Sequence, residues 1–238
     1  MKTIRLLQLY PSEMNIYGDW GNALVLKRRL EWRGYKVELL EHHPGGKFPI
    51  DVDIITGGGG QDSGQDKIKD DLIKIGPNLH KLAKDDVPML MICGLYQLFG
   101  RFFQTKDGVK IEGIGIFKAE TYGGPKRLIG NVVTKSDEFG EIIGYENHSG
   151  LTRLDEDQAI LGMVVKGDGN NGDDGSEGAR HKNVIGSYLH GSLLPKNPRI
   201  ADFLIEKAIE KKYGKAELTK LDDTVVKKAR SVAKSRPR

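Results

Sequence analysis

Cysteine is nearly absent. In 238 residues the chain has one, Cys93, so it can form neither an internal disulfide nor a multi-cysteine zinc site, and a cytosolic thiol is the natural reading. Long apolar runs are missing too: no stretch approaches the roughly 20 residues a spanning helix needs. "MKTIRLLQLYPSEM" meets Pro11 and Glu13 too soon for a signal peptide, so no membrane span and a cytoplasmic location are expected. Charge of one sign is scarce except at the end. The net +4 arises in Lys215 to Arg238, where eight basic and three acidic residues leave −1 for the remainder. Such a basic patch could touch nucleic acid or an acidic surface, but a short charged terminus more often reads as a solvated helix end, and no nucleic-acid partner is expected.

What is present follows an α/β pattern. "IRLLQLY" has strand character, "DWGNALVLKRRLEWRG" has helical spacing through Leu24, Leu26, Leu30 and Trp32, and "YKVELLEHH" returns to strand. Asp19 reads as the helix N-cap and Gly34 as its stop. A third strand, "VDIITGGGG", precedes a helix from Asp66 to Lys84 and a fourth strand, "VPMLMIC", whose continuous apolarity suits a central strand covered on both faces. After Gly100 come short alternating segments, then the glycine-rich "GDGNNGDDGSEGARH", a last strand "NVIGSYLHG" and an amphipathic helix opened by Pro198. The fold class is α/β in a single domain: a mostly parallel open sheet with helices on both faces and an antiparallel margin. Residues 1–213 make that domain and 214–238 a basic C-terminal tail.

The candidate sites differ in weight. "TGGGGQD", Thr56 to Asp62, follows a strand as a phosphate loop would, but it lacks the Lys-Ser/Thr pair of a P-loop and the dinucleotide spacing. Its glycines instead allow close backbone approach, and clustered N–H groups can hold an oxyanion. Asp168 to Glu177 invites a calcium reading, yet Asp173 stands where an EF-hand needs glycine, so it reads as a solvated hairpin loop, and no metal site is expected. Cys93 ends an apolar strand and precedes "GLYQLFG", the start of a helix, which is the geometry of a nucleophile elbow; a small buried core thiol is the alternative. A thiolate nucleophile needs a base. Of six histidines only His190 ends an apolar strand, "VIGSYLHG", and would emerge at the same sheet edge, with His148 in "GYENHSG" the runner-up.

Taken in order, "GGGGQD", "MICGLYQLFG", "GYENHSG" and "GSYLHGSLLPKNP" resemble the triad-type, or class I, glutamine amidotransferases of the cobyric acid synthase-like branch, over roughly residues 4 to 205. Within it, "LYPSEMNIYGDWGN" is similar to the glutaminase subunits that supply ammonia for the amidation of lipid II. The resemblance implies Cys93 as nucleophile, His190 as base, Arg127 in "GPKRLIGN" as a glutamine ligand, and Gly59, Gly60, Gly94 and Gln97 as substrate-binding residues. It also implies L-glutamine as substrate and a heterodimer with a Mur ligase-like synthetase. That partner would use ATP and Mg²⁺ and reach the D-glutamate of lipid II, while this chain holds no cofactor. Two positions depart from the pattern. Leu95 stands where the family often has glycine, and Ser192 where many relatives carry a glutamate, so the chain is expected to present a Cys/His dyad whose orienting carboxylate comes from the synthetase. The alternatives are a cobyric acid synthase-type amidase component and a non-catalytic binding protein working through its basic tail.

Overall fold

The computed structural model describes residues 1–237, Asp62 by its backbone alone; Arg238, the last residue of the basic tail, lies outside the described residues. A strand–helix–strand unit opens the chain: β1 (Thr3–Leu9), α1 (Gly21–Glu31) and β2 (Lys36–His42). β1 and β2 pair in parallel from Thr3 opposite Lys36 to Leu9 opposite His42. α1 turns Ala23, Leu26 and Leu30 inward at helical spacing, and just beyond it Gly34 takes φ +80°, as its place after the helix predicts. The expected N-cap does not form, because the chain is already helical at Trp20 and the Asp19 side chain is used elsewhere.

β3 (Ile54–Gly57), α2 (Asp62–Lys84) and β4 (Met89–Ile92) form the second unit. Every residue of β3 and β4 is buried, as the apolar run required. α2 begins one turn before Asp66, because Gln61 is extended and the backbone enters the helix directly behind the glycine loop. The chain then bends at Cys93 into the short α3 (Gly94–Phe99).

After α3 come β5 (Phe102–Gln104), β6 (Lys110–Glu112), β7 (Ala119–Ser136), β8 (Gly140–Leu154), β9 (Gly162–Lys166), β10 (Ser176–Glu177), β11 (Ala179–His181) and β12 (Val184–Ser187). The first sheet has the order β11-β12-β4-β3-β1-β2, parallel throughout except β11, which is the expected antiparallel margin. From β1 the chain moves outward to β2, and from β3 it moves the opposite way to β4. Right-handed crossovers therefore put α1 and α2 on opposite faces, and the reversal between β1 and β3 is a topological switch point.

The alternating segments do more than supply a margin. β7 and β8 form a long antiparallel pair and, with β5, β6, β9 and β10, build a second sheet. The alternating burial along β8 shows the reason: one face packs on the core and the other meets solvent.

The glycine-rich loop is solvated as expected only at its tip, Gly172 to Asp174, while its base is folded inward. Asn170 is fully buried; its amide donates to Ser176 Oγ and the Gly178 carbonyl, while its Oδ1 accepts from the Gly178 N–H and the Tyr96 hydroxyl. Short polar side chains thus satisfy the turn's own backbone and allow it to leave water.

The chain ends in α4 (Leu193–Lys196), α5 (Pro198–Tyr213) and α6 (Thr224–Ser235). α6 buries no residue, yet it is tied down. Arg230 donates to Asn197 Oδ1 at 2.8 Å and to the Glu141 carbonyl at 2.8 Å, and Asp223 meets the buried Arg29 at 2.6 Å. Among the described residues no helix is long and apolar enough to cross a membrane.

Candidate active site

The carboxyl ends of four parallel strands meet at the switch point. β4 delivers Cys93, β12 runs on to His190, β3 opens into Gly57–Gly60, and the segment after β1 brings Ile16, Tyr17 and Asp19. Cys93 sits at φ 49°, ψ −104°, a left-handed conformation that costs a non-glycine residue about 1–3 kcal/mol and is retained where the surroundings hold it. Its N–H donates to the Ser187 carbonyl of β12 at 2.8 Å, and its carbonyl accepts from the Gln97 N–H, so both arms of the elbow are pinned. The thiol is 7% exposed.

Leu95 does not spoil this elbow. Its side chain is fully buried and lies directly over Gly57, where an added Cβ would collide with it. The space that a glycine at position 95 would leave is taken by leucine, with Gly57 giving way on the facing strand.

His190 is fully buried beside the thiol. A Cβ placed on Gly59 would stand 2.7 Å from His190 Cε1 and 3.0 Å from Cys93 Cβ, so both groups converge on one glycine. The Tyr17 ring meets the imidazole edge-on at 5.0 Å, and the His190 N–H donates to the Tyr145 carbonyl at 2.7 Å. Burial pushes the imidazolium down, but the Cys93 thiolate and the Asp19 carboxylate outweigh it and raise His190 to about 10.

The carboxylate is what sequence reasoning missed. Asp19 Oδ2 accepts from His190 Nδ1 at 3.1 Å and also from the Gly59 N–H at 2.9 Å. Within this chain it is Asp19, and not Ser192, that brings a carboxylate to His190, reaching it from the other end of the sequence. Ser192 Oγ instead donates to the Gly18 carbonyl at 2.8 Å, fastening the segment that carries Asp19. The available signal was an aspartate in "GDWG", on the loop after a parallel strand, at the edge where Cys93 and His190 emerge.

The other expected residues divide into two groups. Cys93, Gly60, Gln97, Arg127 and His148 line one cavity of about 590 Å³. Arg127 comes from the second sheet, beside a break in the β7–β8 register between Gly123 and Leu128, an irregularity that re-aims side chains. Its guanidinium donates to Asn147 Oδ1 at 2.9 Å and to the Asn147 carbonyl at 3.1 Å. Gln97 is in the wall, but its amide is already engaged, accepting from Gln65 at 2.7 Å and donating to the Tyr188 hydroxyl at 3.1 Å.

Gly59 packs behind the reactive pair and spends its N–H on Asp19. Gly60 and Gly94 face each other: a Cβ on Gly94 would stand 3.1 Å from the Gly60 nitrogen, and neither N–H has a partner among the described residues. His148 is no rival base. Its Nδ1 is held by the Gly150 carbonyl at 2.8 Å, its ring stacks on Tyr188 at 3.6 Å, and burial, with the charge of His190, pushes it down to about 3. Among the described residues no cluster of three metal-ligating side chains occurs.

Comparison with known proteins gives the same direction. Residues 5–198 match the CobB/CobQ-like glutamine amidotransferase domain. A Staphylococcus aureus protein, the GatD subunit of lipid II isoglutaminyl synthase (glutamine-hydrolyzing), is 39% identical over 98% of this chain and 95% of its own. The GatD subunit of Streptococcus pneumoniae is 39% identical over 89% of this chain and 82% of its own. In fold alone, the structure of PurLQS from Thermotoga maritima is similar, with a TM-score of 0.61 at 17% identity over 86% of this chain and 98% of that one.

Proposed function

Because the chain belongs to the CobB/CobQ-like glutamine amidotransferase family, we propose that it hydrolyses L-glutamine to glutamate and ammonia as the glutaminase subunit of a lipid II isoglutaminyl synthase. The observation that carries the reading is one cavity with Cys93 and Arg127 both in its wall. Such a cavity suits a small substrate with a carboxylate at one end and a carboxamide at the other. Arg127 offers paired N–H donors for the α-carboxylate, with Asn147 holding the guanidinium in place.

The thiolate of Cys93 attacks the carboxamide carbon. The oxygen that becomes negative is held by the N–H groups of Gly60 and Gly94, the two donors the structure leaves unspent. His190, protonated at neutral pH, gives its proton to the departing nitrogen, and ammonia leaves. Neutral His190 then takes a proton from water as it adds to the glutamyl thioester, releasing glutamate and restoring the thiolate.

The acceptor chemistry lies outside this chain. A Mur ligase-like synthetase partner, using ATP and Mg²⁺, would receive the ammonia and amidate D-glutamate of the lipid II stem peptide. The test is glutamine-dependent amidation of lipid II by the chain together with that synthetase, with Cys93→Ala as control. Amidation that needs glutamine and is lost in the control, yet returns with added ammonium, is the expected result. Glutamine-dependent product from Cys93→Ala would overturn the nucleophile, and a complex that amidates another acceptor but not lipid II would overturn the substrate.

A further inference from the structure

A second concavity, a groove of about 630 Å³, lies where α6 meets the solvent face of the β7–β8 pair. Val225, Ala229 and Val232 recur at helical spacing along α6, with Lys228 and Arg236 in the same stripe, and all five line the groove. Val225 and Val232 are 80% and 50% exposed, so this stripe is not spent on the core. Tyr145, Asn131 and Lys196 complete the lining.

The groove and the active-site cavity share one sheet face. Alternate residues of a strand point the same way, so Tyr145, Asn147 and Ser149 of β8 stand in a row. On β7, Asn131 pairs with Tyr145 and Ile129 with Asn147. Asn147 and Ser149 line the cavity, Tyr145 and Asn131 line the groove, and the exposed side chain of Ile129 belongs to the same row. One surface therefore runs from the cavity wall to α6.

The charge of the groove says what it lacks. Lys196, Lys228 and Arg236 line it together with no aspartate or glutamate, and none of the three has an ion pair among the described residues. Glu141, the acid beside α6, is taken up by Arg230 and Lys234. Burial and the neighbouring Arg236 charge hold Lys196 below the ordinary lysine range.

We propose that this face is the docking surface for the ammonia-accepting synthetase subunit, which lays an acidic segment with apolar anchors into the groove and so covers the cavity. The proposal rests on the glutaminase reading above and gives its partner a place. Ammonia made in the cavity passes to whatever covers it, and the cation-rich groove adjoins that cavity. A lipid surface fits less well, because the groove is concave and its helix offers only Val225, Ala229 and Val232, without the large apolar face of an interfacial helix. The surface is ready-made. Asp223 is bonded to Arg29 before α6, and after it the Arg236 carbonyl accepts from Lys166 at 2.8 Å and the Pro237 carbonyl from Asn131 at 2.6 Å, so binding requires little ordering. Docking also bears on the base. The Tyr145 carbonyl holds the His190 N–H, and Lys196 Nζ donates to the Gly191 carbonyl at 3.2 Å, so a partner seated on Tyr145 and Lys196 rests on two anchors of the segment that carries His190.

The test uses the full-length chain in two forms, Lys228→Glu combined with Arg236→Glu, and Val232→Asp alone. Affinity for the purified synthetase subunit is read by titration calorimetry at low and high salt. The charge-reversed pair should bind at least about tenfold more weakly at low salt and lose most of its salt dependence, whereas Val232→Asp should weaken binding at least about tenfold at both salts. Glutamine hydrolysis by each variant alone should stay within about twofold of the parent, since none of these side chains lines the cavity. Parental affinity in both variants overturns the proposal, and so does a parent chain that does not bind the synthetase. Binding to phosphatidylglycerol vesicles that is lost in the charge-reversed pair, with synthetase affinity unchanged, overturns it in favour of a lipid surface. If one variant does not fold, the other decides. Hydrolysis surviving in Cys93→Ala would instead overturn the glutaminase reading, whereas failed docking leaves hydrolysis intact, so the two failures are separable.

Discussion

The two sheets make opposite contributions to the site. The parallel sheet supplies Cys93, His190, Asp19 and the glycine loop, all at strand carboxyl ends, whereas the antiparallel sheet supplies Arg127, Asn147 and His148 as a wall across the cavity. Parallel strands joined by crossovers send every outgoing loop to one edge, so residues far apart in the chain meet there. An antiparallel pair has no such edge, and Arg127 arises instead at a break in its register. In the proposed reading, reaction chemistry and substrate recognition are thereby built on separate scaffolds that can be perturbed separately.

The largest effect should come from the parallel side. Cys93→Ala is expected to lower glutamine hydrolysis by at least about 10⁴-fold with a near-parental melting temperature, both read on the same preparation. Gly59→Ala comes next: its methyl would stand 2.7 Å from His190 Cε1, so kcat should fall about 10²-fold through displacement of the pair. A Gly59→Ala enzyme with parental kcat would show that the close approach is not needed.

Arg127→Ala tests the other sheet. KM for glutamine should rise about 10- to 100-fold while kcat changes little, since a guanidinium on the α-carboxylate, as proposed, would hold the ground state and the transition state alike. A loss in kcat alone would dissolve the proposed division between sheets.

The smallest effect concerns the joint between them. Glu177 of β10 accepts from the Ser187 hydroxyl of β12 and the N–H of the following Tyr188, and burial, partly opposed by these bonds, raises it to about 7. A carboxyl raised in the folded state contributes stability that is full below about pH 4.5 and is lost as pH rises through about 7. The loss should be about 3 kcal/mol over that range, and Glu177→Gln should remove this part of the pH dependence in urea unfolding. A parental slope in the variant would place the titration elsewhere.

Much of this was legible from residue order. Apolar "VPMLMIC" marked the central strand, Gly94 after Cys93 marked the turn, and "VIGSYLHG" placed His190 at the same edge, because strand burial and turn chemistry are local properties. The second sheet was less legible, since alternation announces a half-buried strand without saying which sheet it joins. The loop from Asp168 to Glu177 misled for a related reason. Its polar side chains suggested solvent, but those at its base pair with the loop's own backbone and make burial there tolerable. Gln97 is similar: its place in the cavity wall was expected, whereas the Gln65 and Tyr188 contacts that occupy its amide were not.

By itself the sequence determined the α/β order of elements, the turn at Cys93 and the place of His190 at the same sheet edge, because each depends on a few neighbouring residues. Only the tertiary structure decided which carboxylate meets the imidazole. Asp19 and His190 are 171 positions apart, and no periodicity or spacing encodes that pairing. It arises because β1 and β12 point the same way in one sheet, so the segments beyond their ends close over the same strained cysteine.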